Sequence, residues 1–69
     1  MPLTLAVIGE ENIIKRIGGS AEVRAHLQNL GFVSGAVVTV VSSMAGNLIV
    51  RVKDARIAVS KEMASKIMI

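Results

Sequence analysis

The residues best suited to chemistry are Glu22 and His26, which lie four positions apart in a segment that predicts a helix. This spacing places a carboxylate and an imidazole on one helix face, where they can hold a divalent transition metal such as Fe2+ or Zn2+. Two ligands leave the site incomplete, so a second subunit or the Glu10-Glu11 pair would have to complete it. The alternative is a solvated helix face with a contact between the two side chains.

Catalysis has little support in the sequence. The single histidine has no cysteine to activate, and neither a serine–histidine–acid order nor a Gly-Lys-Ser/Thr phosphate loop is present. A chain of 69 residues also has little material for the walls of a deep pocket once its core is filled. We therefore expect a binding module and not an enzyme.

A cluster of basic residues raises the question of nucleic-acid binding. Arg51, Lys53 and Arg56 surround one predicted turn, and the formal net charge is +3. Small barrels that bind single-stranded nucleic acid combine a basic groove with aromatic side chains on which bases stack. Phe32 is the only aromatic residue, and Asp54 lies within the basic cluster. Nucleic-acid binding is thus an alternative function, and we expect no nucleic-acid partner.

The composition indicates where the protein works. There is no cysteine, no positively charged start followed by an apolar signal core, and no apolar run near the roughly 20 residues of a membrane span. We therefore expect a cytoplasmic protein without membrane insertion, organised as a single domain over residues 1–69.

One helix is well specified. Ser20 is suited to be its N-cap, and Gly31 is suited to end it with a positive φ. The apolar stripe between them, at spacings of four and three, consists of Val23, Leu27 and Leu30. These signals predict a helix from about 21 to 30.

The rest of the chain is predicted to be mainly β. Runs of β-branched residues bounded by turn residues predict five short strands, at 12–17, 37–41, 48–52, 56–59 and 66–69. Ser60 is a second candidate N-cap, for a single helical turn around 61–64. The whole predicts a small five-stranded barrel with one short α-helix inserted after the first strand.

The segment Leu30-Gly31-Phe32-Val33-Ser34-Gly35, followed by the strand Val37–Val41, carries a family resemblance. Ile17-Gly18-Gly19 precedes it, and the strand Arg56-Ile57-Ala58-Val59 and a terminal Ile67-Met68-Ile69 follow it. In this order the sequence resembles the FeoA family, small cytoplasmic proteins of bacterial ferrous iron uptake. The fold also resembles the C-terminal SH3-like domain of iron-dependent repressors of the diphtheria toxin repressor type.

The resemblance implies an SH3-like barrel with a non-enzymatic role. That role is to assist the membrane iron transporter FeoB, whose cytosolic part is a GTP-binding domain. Metal binding or sensing by the chain itself is the alternative, with Fe2+ or Zn2+ as the ion.

An exposed apolar patch is the expected partner surface. Phe32, Val33 and Met44 are predicted on loops at neighbouring ends of the strands, where binding surfaces usually lie. The full set of expected partner-binding residues is Leu30, Gly31, Phe32, Val33, Met44 and Arg24. Met44→Asp is then expected to abolish association with the transporter. The same patch, or an exposed strand edge, would also support a homo-oligomer.

Overall fold

The computed structural model describes all residues, Met1–Ile69, and its mainly β architecture confirms the predicted fold class. After a short 3₁₀ turn at Leu3–Leu5, the strands are β1 (Glu11–Ile13), β2 (Arg16–Ile17), β3 (Val37–Met44), β4 (Asn47–Val52), β5 (Ala55–Ser60) and β6 (Ile67–Met68). The helices are α1 (Ala21–Asn29) and α2 (Lys61–Ala64). None of the helices is long and apolar enough to cross a membrane.

Two antiparallel sheets enclose one apolar core. The larger sheet has the strand order β1-β3-β4-β5, and β2 pairs with β6 in the smaller one. Alternate residues of β3 and β4 point inward, as a strand with one buried face requires. The core consists of Leu3, Ile14, Leu27, Phe32, Val38, Val40, Leu48, Val50, Val52, Val59, Ala64, Ile67 and Ile69. No polar side chain is buried with them.

The prediction of one strand over 12–17 is wrong, because the chain changes sheets in the middle of this segment. The N–H of Ile14 donates to the Ala36 carbonyl at 2.9 Å, beside the larger sheet. The N–H of the next residue, Lys15, donates to the Met68 carbonyl of β6 at 2.7 Å. Two short strands therefore replace one, which raises the strand count from the predicted five to six.

Both helices begin as predicted, at serine N-caps. The Ser20 hydroxyl accepts from the N–H of Val23 at 3.2 Å, and the Ser60 hydroxyl accepts from the N–H of Met63 at 3.2 Å. Each bond satisfies one of the N–H groups that a first helical turn leaves without a partner. The helix predicted from about 21 to 30 and the helical turn around 61–64 are confirmed.

Strand β4 connects two turns at opposite ends of the larger sheet. Ala45-Gly46 joins β3 to β4, and Lys53-Asp54 joins β4 to β5. The φ angles are 40° and 85° in the first turn and 50° and 64° in the second. Two central residues with positive φ are the requirement of the type I′ turn, which follows the right-handed twist of a hairpin. We call these the hairpin turn (Ala45-Gly46) and the basic turn (Lys53-Asp54).

Candidate functional site

The end of α1 is shaped by a Schellman motif. The N–H of Gly31 donates to the Gln28 carbonyl and the N–H of Phe32 to the Leu27 carbonyl, each at 3.0 Å. These are the two bonds of that motif, and Gly31 has the positive φ, +106°, that the motif needs. The predicted role of Gly31 as the residue that ends the helix is confirmed.

The loop that follows α1 is held in one conformation by its own hydrogen bonds. The Ala36 N–H donates to the Val33 carbonyl at 3.0 Å, and the Gly35 N–H donates to the Ile14 carbonyl at 2.7 Å. The Ser34 hydroxyl donates to the Lys15 carbonyl at 3.2 Å. A loop fixed in this way loses little conformational entropy when a partner binds to it.

Four of the expected partner-binding residues lie on α1 or on the loop that follows it. We call this surface the α1 end; it is formed by Arg24, Leu30, Gly31 and Val33. The Arg24 side chain is exposed, and Leu30, Gly31 and Val33 are half-buried. Arg24 is the fourth residue of α1, and Gly31 directly follows the C-cap residue Leu30.

The placement of Phe32 on the exposed patch is wrong. Its side chain is 0% exposed and lies in the core cluster with Leu27, which is also fully buried. The Schellman motif turns the residue after Gly31 back toward the helix, and this brings the ring inside. Phe32 supports the α1 end from beneath and has no surface to offer a partner.

The prediction that Met44 shares a patch with Val33 is also wrong. Met44 is 63% exposed, but it lies beside the hairpin turn, where it pairs with Asn47. The α1 end adjoins the opposite end of β4. The six residues of β4 separate the two places by about 20 Å at roughly 3.3 Å per residue.

The basic turn adjoins the α1 end, a contact that the sequence does not predict. A Cβ added to Gly31 would lie 3.6 Å from Cδ of Lys53 and 3.7 Å from Cγ1 of Val52. The aliphatic part of Lys53 therefore packs beside the Gly31 backbone. In the sequence only the glycine at position 31 could have indicated this close approach. The end of the helix was already a sufficient reason for a glycine there.

A shallow depression of about 310 Å³ opens on the outer face of the larger sheet, beside the basic turn. Its lining consists of Glu11, Ala36, Val37, Thr39, Arg51, Lys53 and Asp54. The register places Glu11 opposite Thr39, Thr39 opposite Arg51, and Arg51 opposite Arg56. The row of side chains thus runs from an acidic residue on β1 to two basic residues on β4 and β5.

The candidate metal ligands Glu22 and His26 are exposed on α1. No group of three or more histidine, cysteine, aspartate or glutamate side chains in the structure could hold a metal ion. Glu10 and Glu11 therefore do not complete a site with these two residues. Completion by a second subunit stays a prediction.

The chain is similar to known proteins along its whole length. The sequence model of the FeoA domain matches residues 1–69. A Methanocaldococcus jannaschii protein named "Putative Fe(2+) transport protein A" is 32% identical over 68 residues, which cover 99% of this chain and 83% of that one.

Solved structures show the same fold. The crystal structure of an iron uptake regulatory protein, FeoA, matches with a TM-score of 0.89 and 28% identity, over 97% of this chain and 91% of that chain. Stenotrophomonas maltophilia FeoA, a prokaryotic SH3 domain protein solved with zinc, matches with a TM-score of 0.86 and 22% identity, over 99% and 87%.

The predicted likeness was to iron-dependent repressors, and the structure shows the same fold in a manganese-dependent one. A manganese-dependent transcriptional repressor matches with a TM-score of 0.87 and 17% identity, over 97% of this chain and 39% of that chain. The fold is therefore SH3-like, as predicted. Because the family model covers the sequence from end to end, the chain belongs to the FeoA family.

Proposed function

We propose that this chain is a cytoplasmic, non-enzymatic accessory protein of ferrous iron uptake that binds the cytosolic GTP-binding domain of a FeoB-type transporter. Membership of the FeoA family is the observation that carries the proposal. The Fe(2+) transport name of the M. jannaschii relative supports the link to iron. Binding, and not catalysis, also agrees with the shallow surface of the barrel, whose one depression holds about 310 Å³.

The α1 end is the surface that we propose for this contact. It offers half-buried apolar groups from Leu30 and Val33, and α1 adds the exposed cation of Arg24. Apolar contacts ringed by charge are typical of protein interfaces, in which arginine is enriched. Hydrogen bonds to Ile14 and Lys15 hold the following loop in place, so that the surface is formed before the partner arrives.

Two exposed positions, one on α1 and one beside the hairpin turn, test the placement. We expect Arg24→Glu to weaken binding of the transporter domain about tenfold or more, because a cation at the contact becomes an anion. Met44→Asp, at the far end of β4, is the matched control and should change the affinity less than about threefold. Isothermal titration calorimetry of the full chain with the transporter domain measures both affinities.

Two results would contradict the proposal in different ways. Absence of binding by the unmodified chain, in the presence of guanine nucleotide and ferrous iron, would remove the transporter as partner. A Met44→Asp variant that loses binding while Arg24→Glu keeps it would move the contact to the hairpin turn. Circular dichroism of both variants confirms that the fold is retained.

A further inference from the structure

We infer that the partner segment bound beside the α1 end is acidic, and that a strip of cations holds its carboxylates. The strip consists of Arg24, Lys53, Arg51 and Arg56, and we call it the basic strip. All four side chains are exposed. The inference rests on the proposed function for the name of the partner and adds the chemistry by which that partner is recognised.

The first observation is a pair of like charges held against each other. Arg51 on β4 and Arg56 on β5 are directly opposite in the antiparallel register. Like charges at directly opposed positions destabilise a sheet, and an oppositely charged pair would stabilise it. The pairing therefore weakens the isolated fold, and a ligand with carboxylates would convert the repulsion into attraction.

The second observation is the backbone of the basic turn. Lys53 and Asp54 have φ of 50° and 64°, in the left-handed region that glycine, asparagine and aspartate adopt most readily, so the strain falls mainly on Lys53. Neither side chain takes part in the side-chain hydrogen bonds of the structure. Strain of this kind is typical of functional positions, and here it places an ammonium group at the corner of the sheet.

The third observation connects this corner to the α1 end. The stem of Lys53 packs beside Gly31, which follows the C-cap of α1, and Arg24 is exposed on that helix. The outer face of β4 continues the row, since Arg51 and Lys53 line the same depression. An extended segment could thus contact cations from α1 to β5.

The position of the acidic residues sets where that segment lies. Asp54 is within the basic turn, and Glu11 is on β1, two strand spacings or about 10 Å from Arg51. The outer face of the sheet is acidic at β1 and basic at β4 and β5. A segment with carboxylates is therefore attracted to β4 and β5 and repelled by β1.

A protein segment fits this surface better than a nucleic acid does. Barrels that bind single-stranded nucleic acid stack its bases on exposed aromatic rings. Phe32 is the only ring in this chain, and it is 0% exposed. The strip offers charge without a stacking platform, which suits glutamate and aspartate side chains.

The test is a nuclear magnetic resonance titration of the ¹⁵N-labelled full chain with a hexaglutamate peptide at low salt. We expect chemical-shift changes at the amides of Gly31, Arg51, Lys53 and Arg56. These changes should disappear when the salt concentration is raised, because salt screens the charges. The double variant Arg51→Ala/Arg56→Ala should weaken peptide binding about fivefold or more. The double variant Arg16→Ala/Lys61→Ala removes the same net charge at exposed positions elsewhere and should weaken it less than about twofold.

Three results would overturn the inference. They are no shift at the strip, an equal loss of binding in the two double variants, and tighter binding of a single-stranded oligodeoxynucleotide than of hexaglutamate at the same amides. The outcome is separable from the proposed function. If hexaglutamate binds as expected and the transporter domain does not, the proposed function fails while the acidic specificity stands.

Discussion

The hairpin turn and the basic turn have the same backbone shape and opposite chemistry. Both are two-residue connections with positive φ at each central residue, and they lie at the two ends of β4. The hairpin turn places Gly46 at its second position, where glycine accepts this backbone without strain. The basic turn has no glycine at either position, and Lys53 bears most of the strain there.

The two turns also differ in charge and in their contacts with the rest of the chain. Ala45-Gly46 carries no charge, and nothing lies within 4 Å of a Cβ built on Gly46. Lys53-Asp54 carries two charges and packs beside Gly31 at the α1 end. Type I′ turns favour Asn-Gly, so the charged pair is not the choice that turn stability alone predicts.

The largest expected effect on stability is at the hairpin turn. Gly46→Ala should lower the free energy of unfolding by about 1–2 kcal/mol, because alanine at φ 85° is strained although the space around it is open. Urea denaturation of the variant and the unmodified chain measures the difference. An unchanged urea midpoint would show that the hairpin turn does not need glycine at position 46, and it would remove the contrast between the two turns.

A smaller effect of opposite sign is expected at the basic turn. Lys53→Asn/Asp54→Gly keeps the formal net charge and provides the dipeptide that type I′ turns favour, so it should stabilise the fold by about 0.5–1 kcal/mol. The melting temperature should rise by about 2–8 °C.

The same variant should weaken hexaglutamate binding about threefold, because the Lys53 cation is lost. Stability and binding would then change in opposite directions in one molecule. A variant that is both more stable and equally able to bind would show that the basic turn has no part in recognition.

The parts of the fold that depend on neighbouring residues were predictable from the sequence. The Ser20 cap, the Gly31 stop and the inward alternation of β4 involve residues within a few positions of one another, and the structure confirms them. The division of the first strand was not predictable. It arises because Ile14 and Lys15 bond to Ala36 and Met68, which are distant in sequence.

The candidate site was predictable only in part, for the same reason. Arg24, Gly31 and Val33 lie on α1 or on the loop that follows it, and their grouping as partner-binding residues stays a prediction. Met44 was grouped with them wrongly, because the sequence does not show that α1 ends beside the basic turn and not beside the hairpin turn. The contact of Lys53 with Gly31 depends on how α1 packs against the sheet, and no spacing in the sequence expresses it.

The central claim is that the α1 end and the basic strip together bind the transporter. It is tested most directly by a chemical-shift titration of the ¹⁵N-labelled chain with the transporter's cytosolic domain, with and without ferrous iron. We predict that the largest shifts occur at Gly31, Arg51 and Lys53, and that Ala45 and Gly46 stay unchanged. Shifts centred on Ala45-Gly46, or none at saturating domain, would contradict the account.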